Sequence, residues 1–480
     1  YSPPRLPMAR DMPNLSPTIE LKDTLTGQLR RLDSRVQKSV KVYVCGLTVQ
    51  DVAHIGHAKT IVFFDVLRRV MEAKGFDVVL AQNFTDVDDK VIERARRLGV
   101  KPLELAEKNI ERYFSDFGQM NLRGATYYPR ATENVGEMIS FIEGLMRKGY
   151  AYRASTGVYF DVSRFDGYGK LSKVSPSELK VGARVEPDPA KRNPYDFALW
   201  KFSEEEPSWE SPWGRGRPGW HIECSAMVHR YLGEPLDVHG GGEDLIFPHH
   251  ENEIAQTESL TGKPLAHIWM HVGMLNLAEE KMSKSLGNII GVREAASKWG
   301  PNTLRYFLIS NRYRNQLPFT EEAITNSSYN WSIIEGAAYG LRSPDGREDD
   351  VEEGELREMI EAFDRALSDD MDTPSALSEL VKASRMISRL SSQGKLGALA
   401  ASKVRPYFDL MFDTLGFRLP SLSKEELAEV QSLVSQRAAL RASGRYSEAD
   451  DIRRRLAERG IKLQDRPGGT VWMKVENPWL

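Results

Sequence analysis

Cysteine is almost missing from this chain, with two among 480 residues, Cys45 and Cys224. Two thiols so far apart make a poor disulfide framework and point to a reducing compartment, the cytoplasm. There is no apolar run long enough to span a membrane, so no membrane partner is expected. Tyr1 to Pro13 carries four prolines and no signal-type hydrophobic stretch, and reads as a loose tail. An excess of one charge is missing too: 65 Lys and Arg stand against 68 Asp and Glu, net -3. Any nucleic-acid partner must therefore be held by a local patch. What remains, 41% hydrophobic and 28% charged residues, is ordinary for a globular chain of about two to four domains.

Hydrophobic patterning gives the organisation. Lys41 to Gly46 is a short β-branched run, read as a buried strand. A loop over Thr48 to Ile55 leads to helical spacing over Ala58 to Lys74, then a strand over Phe76 to Gln82. Asp86 to Leu98 reads as another helix with acids in its first turn, where the helix dipole favours them. Strand, helix, strand, helix is the opening of a parallel α/β sheet. From Tyr128 to Gly219 short strands, a hairpin at Ala154 to Val162 and Pro-rich loops suggest an insertion. The α/β pattern resumes at Leu236 to Gly242, and helices dominate from Glu321. The acidic run Glu348 to Glu355 separates helical segments, and Ser421 to Leu480 reads as a small end domain of helix, helix, turn and strand.

Three constellations carry chemistry. His54-Ile55-Gly56-His57 follows the first strand and opens the first helix, where two imidazoles and the helix dipole suit a phosphate. Lys281-Met282-Ser283-Lys284-Ser285 suits a mobile basic loop closing on a polyphosphate. The two scarce thiols, with the downstream Phe247-Pro248-His249-His250-Glu251-Asn252-Glu253 cluster, are enough for one four-ligand zinc site between two halves of a fold. Singly, either basic string also fits a solvated surface loop, and a zinc site can be purely structural. Asp86, Asp88 and Asp89 fit magnesium or, better, helix-start acids.

The two strings resemble the paired HIGH and KMSKS signatures of class I aminoacyl-tRNA synthetases. Val44 to Val49, Asn83 to Lys90, Lys191 to Met227, His239 to Asp244 and Phe247 to Gln256 resemble the cysteinyl branch, and the likeness runs from Leu21 to Trp472. The resemblance implies a Rossmann-type parallel-sheet catalytic domain with an inserted connective segment, a helical bundle and a C-terminal anticodon-binding domain. Its expected boundaries are a tail over 1–20, catalytic halves over 21–130 and 219–265, the insert over 131–218, the signature loop and stem-contact region over 266–336, the bundle over 337–420 and the end domain over 421–480. The implied reaction joins L-cysteine to ATP, giving cysteinyl-adenylate and pyrophosphate, then transfers cysteine to the 3′ end of tRNA(Cys).

The same resemblance implies roles. One zinc per chain would be held by Cys45, Cys224, His249 and Glu253, and would take the substrate sulfur, rejecting serine without an editing domain. Four protein donors saturate a tetrahedral zinc, which makes Glu253 the ligand to doubt. Thr85, Trp220 and His239 would face cysteine. Gly46, Thr48, His54, Gly56, His57, Gly240, Gly241 and Lys284 would bind ATP with its Mg2+. His54, His57, Lys281 and Lys284 would be catalytic through charge stabilisation. Arg441, Tyr446, Asp450 and Asp465 would read the anticodon, with Tyr446 standing where the family commonly has Trp. The last sixty residues hold eleven basic against nine acidic side chains, so charge alone would not name them an RNA binder. Asp369, Asp370 and Asp372 are expected as caps. A monomer is expected. The rivals are a cysteine:amino-sugar ligase, which lacks the anticodon domain, and an inactive RNA-binding paralogue.

Overall fold

The computed structural model describes residues 13–174, 188–277, 280–281, 289–347, 350–466 and 469–477. Strands β1 (Thr18–Lys22) and β2 (Leu29–Asp33) form a hairpin. β3 (Ser39–Thr48), α1 (Ile55–Ala73), β4 (Asp77–Thr85), α2 (Asp89–Leu98) and α3 (Pro102–Gln119) follow. Next come α4 (Val135–Arg147), β5 (Ala151–Arg153), β6 (Gly157–Phe160), β7 (Phe197–Phe202) and β8 (Gly216–Pro218). The chain returns through α5 (Trp220–Tyr231), β9 (Leu236–Gly242), α6 (Glu251–Thr261) and β10 (Ala266–Val272). β11 (Leu275–Leu277), β12 (Glu280–Lys281), α7 (Val292–Trp299), α8 (Pro301–Leu308) and β13 (Leu317–Phe319) precede the bundle of α9 (Glu321–Arg342), α10 (Gly354–Ser368), α11 (Thr373–Ser392) and α12 (Ala398–Thr414). The end domain is α13 (Lys424–Ala442), α14 (Tyr446–Glu458), β14 (Ile461–Arg466) and β15 (Gly469–Lys474).

The central sheet is parallel, in the order β10-β9-β3-β4, so the expected α/β class is what the chain folds into. Its strands are largely buried on both faces, which is why Val42 to Cys45 of β3 and Ile268 to Met270 of β10 read as continuous apolar runs instead of alternating ones. Helix α1 packs Val62, Phe63, Val66, Leu67 and Val70 into the largest core, which continues into the bundle. Helix α2 is amphipathic, capped by Asp88 at its start and stopped by Gly99 in the left-handed region at φ 67°. That cap bond, from the Lys90 N–H to Asp88, agrees with the helix-start reading of Asp88, whereas Asp86 lies before the helix and accepts from the Thr132 N–H and hydroxyl. The insert is a second, antiparallel sheet, β5-β6-β7-β8, with a core of its own.

Three features depart from expectation. The insert carries a full helix, α4, because Val135, Met138, Phe141, Ile142 and Leu145 recur at helical spacing beside the strands. Leu15 and Ile19, in the stretch expected as tail, are buried, and the chain there is tied to the bundle by the Ser16 N–H on Asp364. Of the three acids expected as caps, Asp372 caps the start of α11 with its side chain and Asp369 closes the end of α10 with its backbone N–H, but Asp370 caps neither helix. Asp370 instead accepts from the Lys22 N–H and the Tyr313 hydroxyl, and Asp369 pairs with Arg312.

Candidate active site and metal centre

Ligands of parallel sheets bind beyond the carboxyl ends of the strands. Here that edge gathers the ends of β3, β4, β9 and β10. The ladder between β3 and β4 shifts register between Val44 and Leu47, a bulge that re-aims Cys45. Gly46 permits it, since a Cβ there would overlap the Asn83 carbonyl, and the Gly46 N–H donates to Asn83 Oδ1 at 2.9 Å. Cys224 comes from the second turn of α5. His249 comes from an irregular turn, Ile246–His250, in which Phe247 is extended (φ -136°, ψ 131°), and Glu253 from the first turn of α6.

These four side chains converge. The sulfurs of Cys45 and Cys224 lie 3.6 Å apart, Cys45 Sγ is 3.2 Å from Glu253 Oε1, and His249 Nε2 is 3.0 Å from the same oxygen. All four are buried, and their donor atoms lie within 4.8 Å of one another. Two sulfurs, one imidazole and one carboxylate at that spacing fit a metal ion. A second group, Cys45, His239, His250 and Glu253, meets the same spacing. The electrostatics agree. Burial and the neighbouring thiol raise Cys45 far above an ordinary thiol, whereas Cys224, against the pull of burial, is brought down to about 6 by the Cys45 hydrogen bond and the charge on His249. Burial opposes ionisation of Glu253 too, yet His239 and His249 hold it well below the carboxylate range. His249 rises to about 10 because the Glu253 charge outweighs burial. Protons thus bridge a site where a cation would replace them.

Sequence reasoning missed the chain behind the donors. His250 Nε2 lies 3.3 Å from Cys45 Sγ, His250 Nδ1 2.8 Å from His271 Nε2, and His271 Nδ1 2.9 Å from the Thr24 hydroxyl. Burial keeps His250 and His271 neutral, the latter down to about 3. The signal was available: His271 interrupts the apolar run Ile268-Trp269-Met270-His271-Val272 within β10. Lys59 was also missed. Its Nζ donates to the carbonyls of Gly273 and Asn315 at 2.6 Å each, tying α1 to the turn after β10, and burial lowers it to about 8.

Beside the donors opens a cavity of about 340 Å³. Cys45, Gly46, Thr48, His54, Gly56, His57, Lys90, Trp220 and Gly242 are among its walls. His54 caps α1: its Nδ1 accepts from the His57 N–H and His57 Nδ1 accepts from the His54 N–H, both at 3.4 Å. The two rings stack at 3.6 Å. Trp220 stacks on His249 at 4.4 Å between centroids, and the Lys90 ammonium lies 5.6 Å from the Trp220 ring centre. Thr85 and His239 do not line this cavity. The Thr85 hydroxyl donates to Glu223 at 2.7 Å, while His239 lies 2.8 Å from Glu253 Oε2 and stacks on Trp269. Gly240 and Gly241 are not in its walls either; a Cβ on Gly240 would strike Phe64 of α1. Lys281 ends β12, and Lys284 lies outside the described residues.

In the end domain, α13 and α14 pack against the β14–β15 hairpin around Val430, Leu433, Ile452 and Leu456. Asp465 is gripped by the buried Arg437 through two bonds of 2.8 Å, and by Arg441 at 2.6 Å, which holds its carboxyl far below the usual range. Arg437 was not foreseen. Tyr446 is 62% exposed at the start of α14, and Asp450 is exposed one turn on.

Residues 31–329 match the family described as tRNA synthetases class I (C) catalytic domain, and residues 424–472 the cysteinyl-tRNA ligase anticodon binding domain. The chain is 43% identical over 473 residues to the cysteine–tRNA ligase of Thermococcus onnurineus, covering 95% of this chain and 99% of that one. It is 42% identical over 466 residues to that of Bacillus cytotoxicus, covering 95% and 100%. Among solved structures, methionyl-tRNA synthetase of Mycobacterium tuberculosis superposes with a TM-score of 0.60 at 15% identity, over 79% of this chain and 92% of the other, a likeness of fold.

Proposed function

The chain belongs to the cysteine–tRNA ligases, class I synthetases with a cysteinyl-type anticodon domain, and from that premise we propose how its own residues divide the work. The cavity takes ATP and L-cysteine, and the cysteine carboxylate attacks the α-phosphorus, releasing pyrophosphate. Cysteine then passes to the 3′ end of tRNA(Cys), in the cytoplasm and by a monomer. The observation that carries this reading is the meeting of two sequence-distant thiols, 3.6 Å apart, one of which, Cys45, lines a cavity whose other wall is the His54–His57 helix start.

Cys45, Cys224, His249 and Glu253 would hold one zinc ion. Bound there, it supplies a Lewis acid that prefers thiolate to hydroxyl, the basis for choosing cysteine over serine. Because His239 already engages Glu253 Oε2, only Oε1 of that carboxylate is turned toward the sulfurs, which supports Glu253 as the weakest ligand. Trp220, stacked on His249, walls the amino acid, with Thr85 and His239 buttressing that wall. His54 and His57 donate to the phosphates at the helix N-terminus, where loss of one such donor typically costs about 3–4 kcal/mol of activation energy. Lys281 and Lys284 steady the leaving pyrophosphate, Mg2+ accompanies ATP, and Gly46, Thr48 and Gly56, which line the cavity, let the nucleotide approach. Arg441, Tyr446, Asp450 and Asp465 face the anticodon. The anticodon-type end domain supports tRNA, over an amino sugar, as acceptor.

Cysteine-dependent ATP–pyrophosphate exchange, followed by charging of tRNA(Cys), tests the reading. Exchange with serine equal to that with cysteine would sink it, and exchange without tRNA charging would favour the amino-sugar ligase.

A further inference from the structure

Helix α8 lacks a cap of its own. Its N-cap residue is Gly300, which offers no side chain, and Pro301 opens the first turn. The Asn302 and Thr303 N–H groups are the orphan donors of that turn. Both are satisfied from the far end of the chain. Glu476, two residues beyond β15, accepts from the Asn302 N–H at 2.7 Å and Asn302 Nδ2 at 2.8 Å on one oxygen. Its other oxygen accepts from the Thr303 N–H at 3.0 Å and the Thr303 hydroxyl at 3.2 Å. Gly300 sits at φ +93°, and a Cβ there would strike this carboxyl, so the missing side chain is what admits Glu476.

The entry to the end domain is pinned at the same residue. Asn302 Nδ2 donates to the Arg418 carbonyl at 2.8 Å, and Asn302 Oδ1 accepts the Arg418 N–H at 3.2 Å. Glu335 of α9 accepts the Glu476 N–H at 3.2 Å, and the Tyr339 hydroxyl donates to the Lys474 carbonyl. One turn along α8, the buried Arg305 reaches Asp65 of α1 at 2.7 Å, and α1 begins at the two stacked histidines. A continuous packed strut therefore runs from the end domain to the cavity.

We propose that Glu476 is a positioning residue for tRNA selection: by capping α8 it fixes the reach between the anticodon-facing side chains and the adenylating cavity. The inference rests on the reading of the previous subsection, and its test separates the two. Full-length Glu476→Gln and Asn302→Ala are compared with the parent protein in pyrophosphate exchange, which needs no tRNA, and in charging of tRNA(Cys) and of an anticodon-altered tRNA(Cys). In Glu476→Gln one of the two accepting oxygens becomes an NH2 that meets donors, so half of the cap is lost without loss of bulk.

The expected result is exchange within about twofold of the parent, kcat/KM for the cognate tRNA down roughly tenfold through KM, and discrimination between the two tRNAs reduced by a similar factor. Three results overturn the proposal: no change in charging, an equal fall for both tRNAs, or exchange falling in parallel. Should Glu476→Gln unfold the end domain, seen by circular dichroism and new protease cuts, Asn302→Ala decides alone, since it lies outside that domain's core. If the parent protein charges no tRNA at all, it is the functional reading that fails.

Discussion

Replacing Gly240 by alanine separates two explanations of one small residue. The resemblance makes Gly240 small so that ATP can come close. The structure places a neighbour of its own against it. An alanine Cβ would stand 2.7 Å from the Met270 carbonyl oxygen and 2.9 Å from Phe64 Cε1, with Phe64 Cζ nearer still. Ordinary carbon contacts are about 3.5–4.0 Å, so roughly 1 Å must be found. Met270 is the register partner of Gly240 in β10 and cannot turn away, which leaves α1 to move. Overpacking of this kind costs about 1–3 kcal/mol, and a rigid backbone neighbour puts the expectation at about 3 kcal/mol. For a catalytic domain of about 300 residues, at somewhat under about 2 °C per kcal/mol, the unfolding midpoint should fall by about 5 °C. Because α1 begins at His54, exchange activity should fall as well. Phe64→Leu in the same chain relieves the ring clash only, so the double variant should recover part of the loss, with a coupling of at least about 1 kcal/mol. Thermal unfolding followed by circular dichroism and exchange kinetics measure both. A Gly240→Ala protein with an unshifted midpoint and a raised KM for ATP refutes the packing account.

Cys224→Ser should abolish tight zinc binding, read as metal per chain by plasma emission, and raise KM for cysteine far more than KM for ATP; retention of one zinc would remove Cys224 from the ligand set. Tyr446→Ala should lower kcat/KM for tRNA by the roughly 1–3 kcal/mol of one base stack and leave exchange untouched. An equal effect on exchange would place the ring elsewhere in the mechanism. Burial, then the Glu476 charge, push the Glu335 carboxyl up to about 8, with Lys462 opposing. A folded value above the unfolded one of about 4.3 means that this contact contributes fully below that pH and fades as pH rises through about 8. Protease nicking between the bundle and the end domain should therefore increase from about pH 5 to about 8 in the parent protein, and Glu335→Gln should flatten the profile. An unchanged profile in that variant counts against Glu335.

Legibility followed periodicity and rarity. Strand β3 and helix α1 stand out as apolar stretches with a change of period, and the parallel sheet follows from the alternation of strand and helix. The donors Cys45 and Cys224 could be found by counting, because a residue used twice is conspicuous. Their partners could not be found that way: His249 and Glu253 lie among other acids and imidazoles, and only the fold turns them, and not Glu251, toward the sulfurs. Glu251 accepts instead from the Gly169 and Leu171 amides. The Cys45 bulge depends on a register shift that no single strand encodes. Thr85 illustrates the converse: its position at the end of β4 is legible, but its bond to Glu223 depends on α5, far along the chain. The cap on α8 was invisible for the same reason, since the helix and its capping carboxylate are separated by the whole bundle.

The four candidate metal ligands straddle the insert, which bears on synthesis. Cys45 emerges early from the ribosome, whereas Cys224, His249 and Glu253 follow about 180–210 residues later. At roughly 5–20 residues per second, the first sulfur waits about ten to forty seconds for its partners. Over that interval β3 has β4 beside it but not β9, and Cys45 is an ordinary thiol, open to oxidants and to stray soft metals. Every nascent chain therefore passes through a window of chemical vulnerability that closes only when the second half of the sheet docks. A longer insert would widen that window in direct proportion to its length.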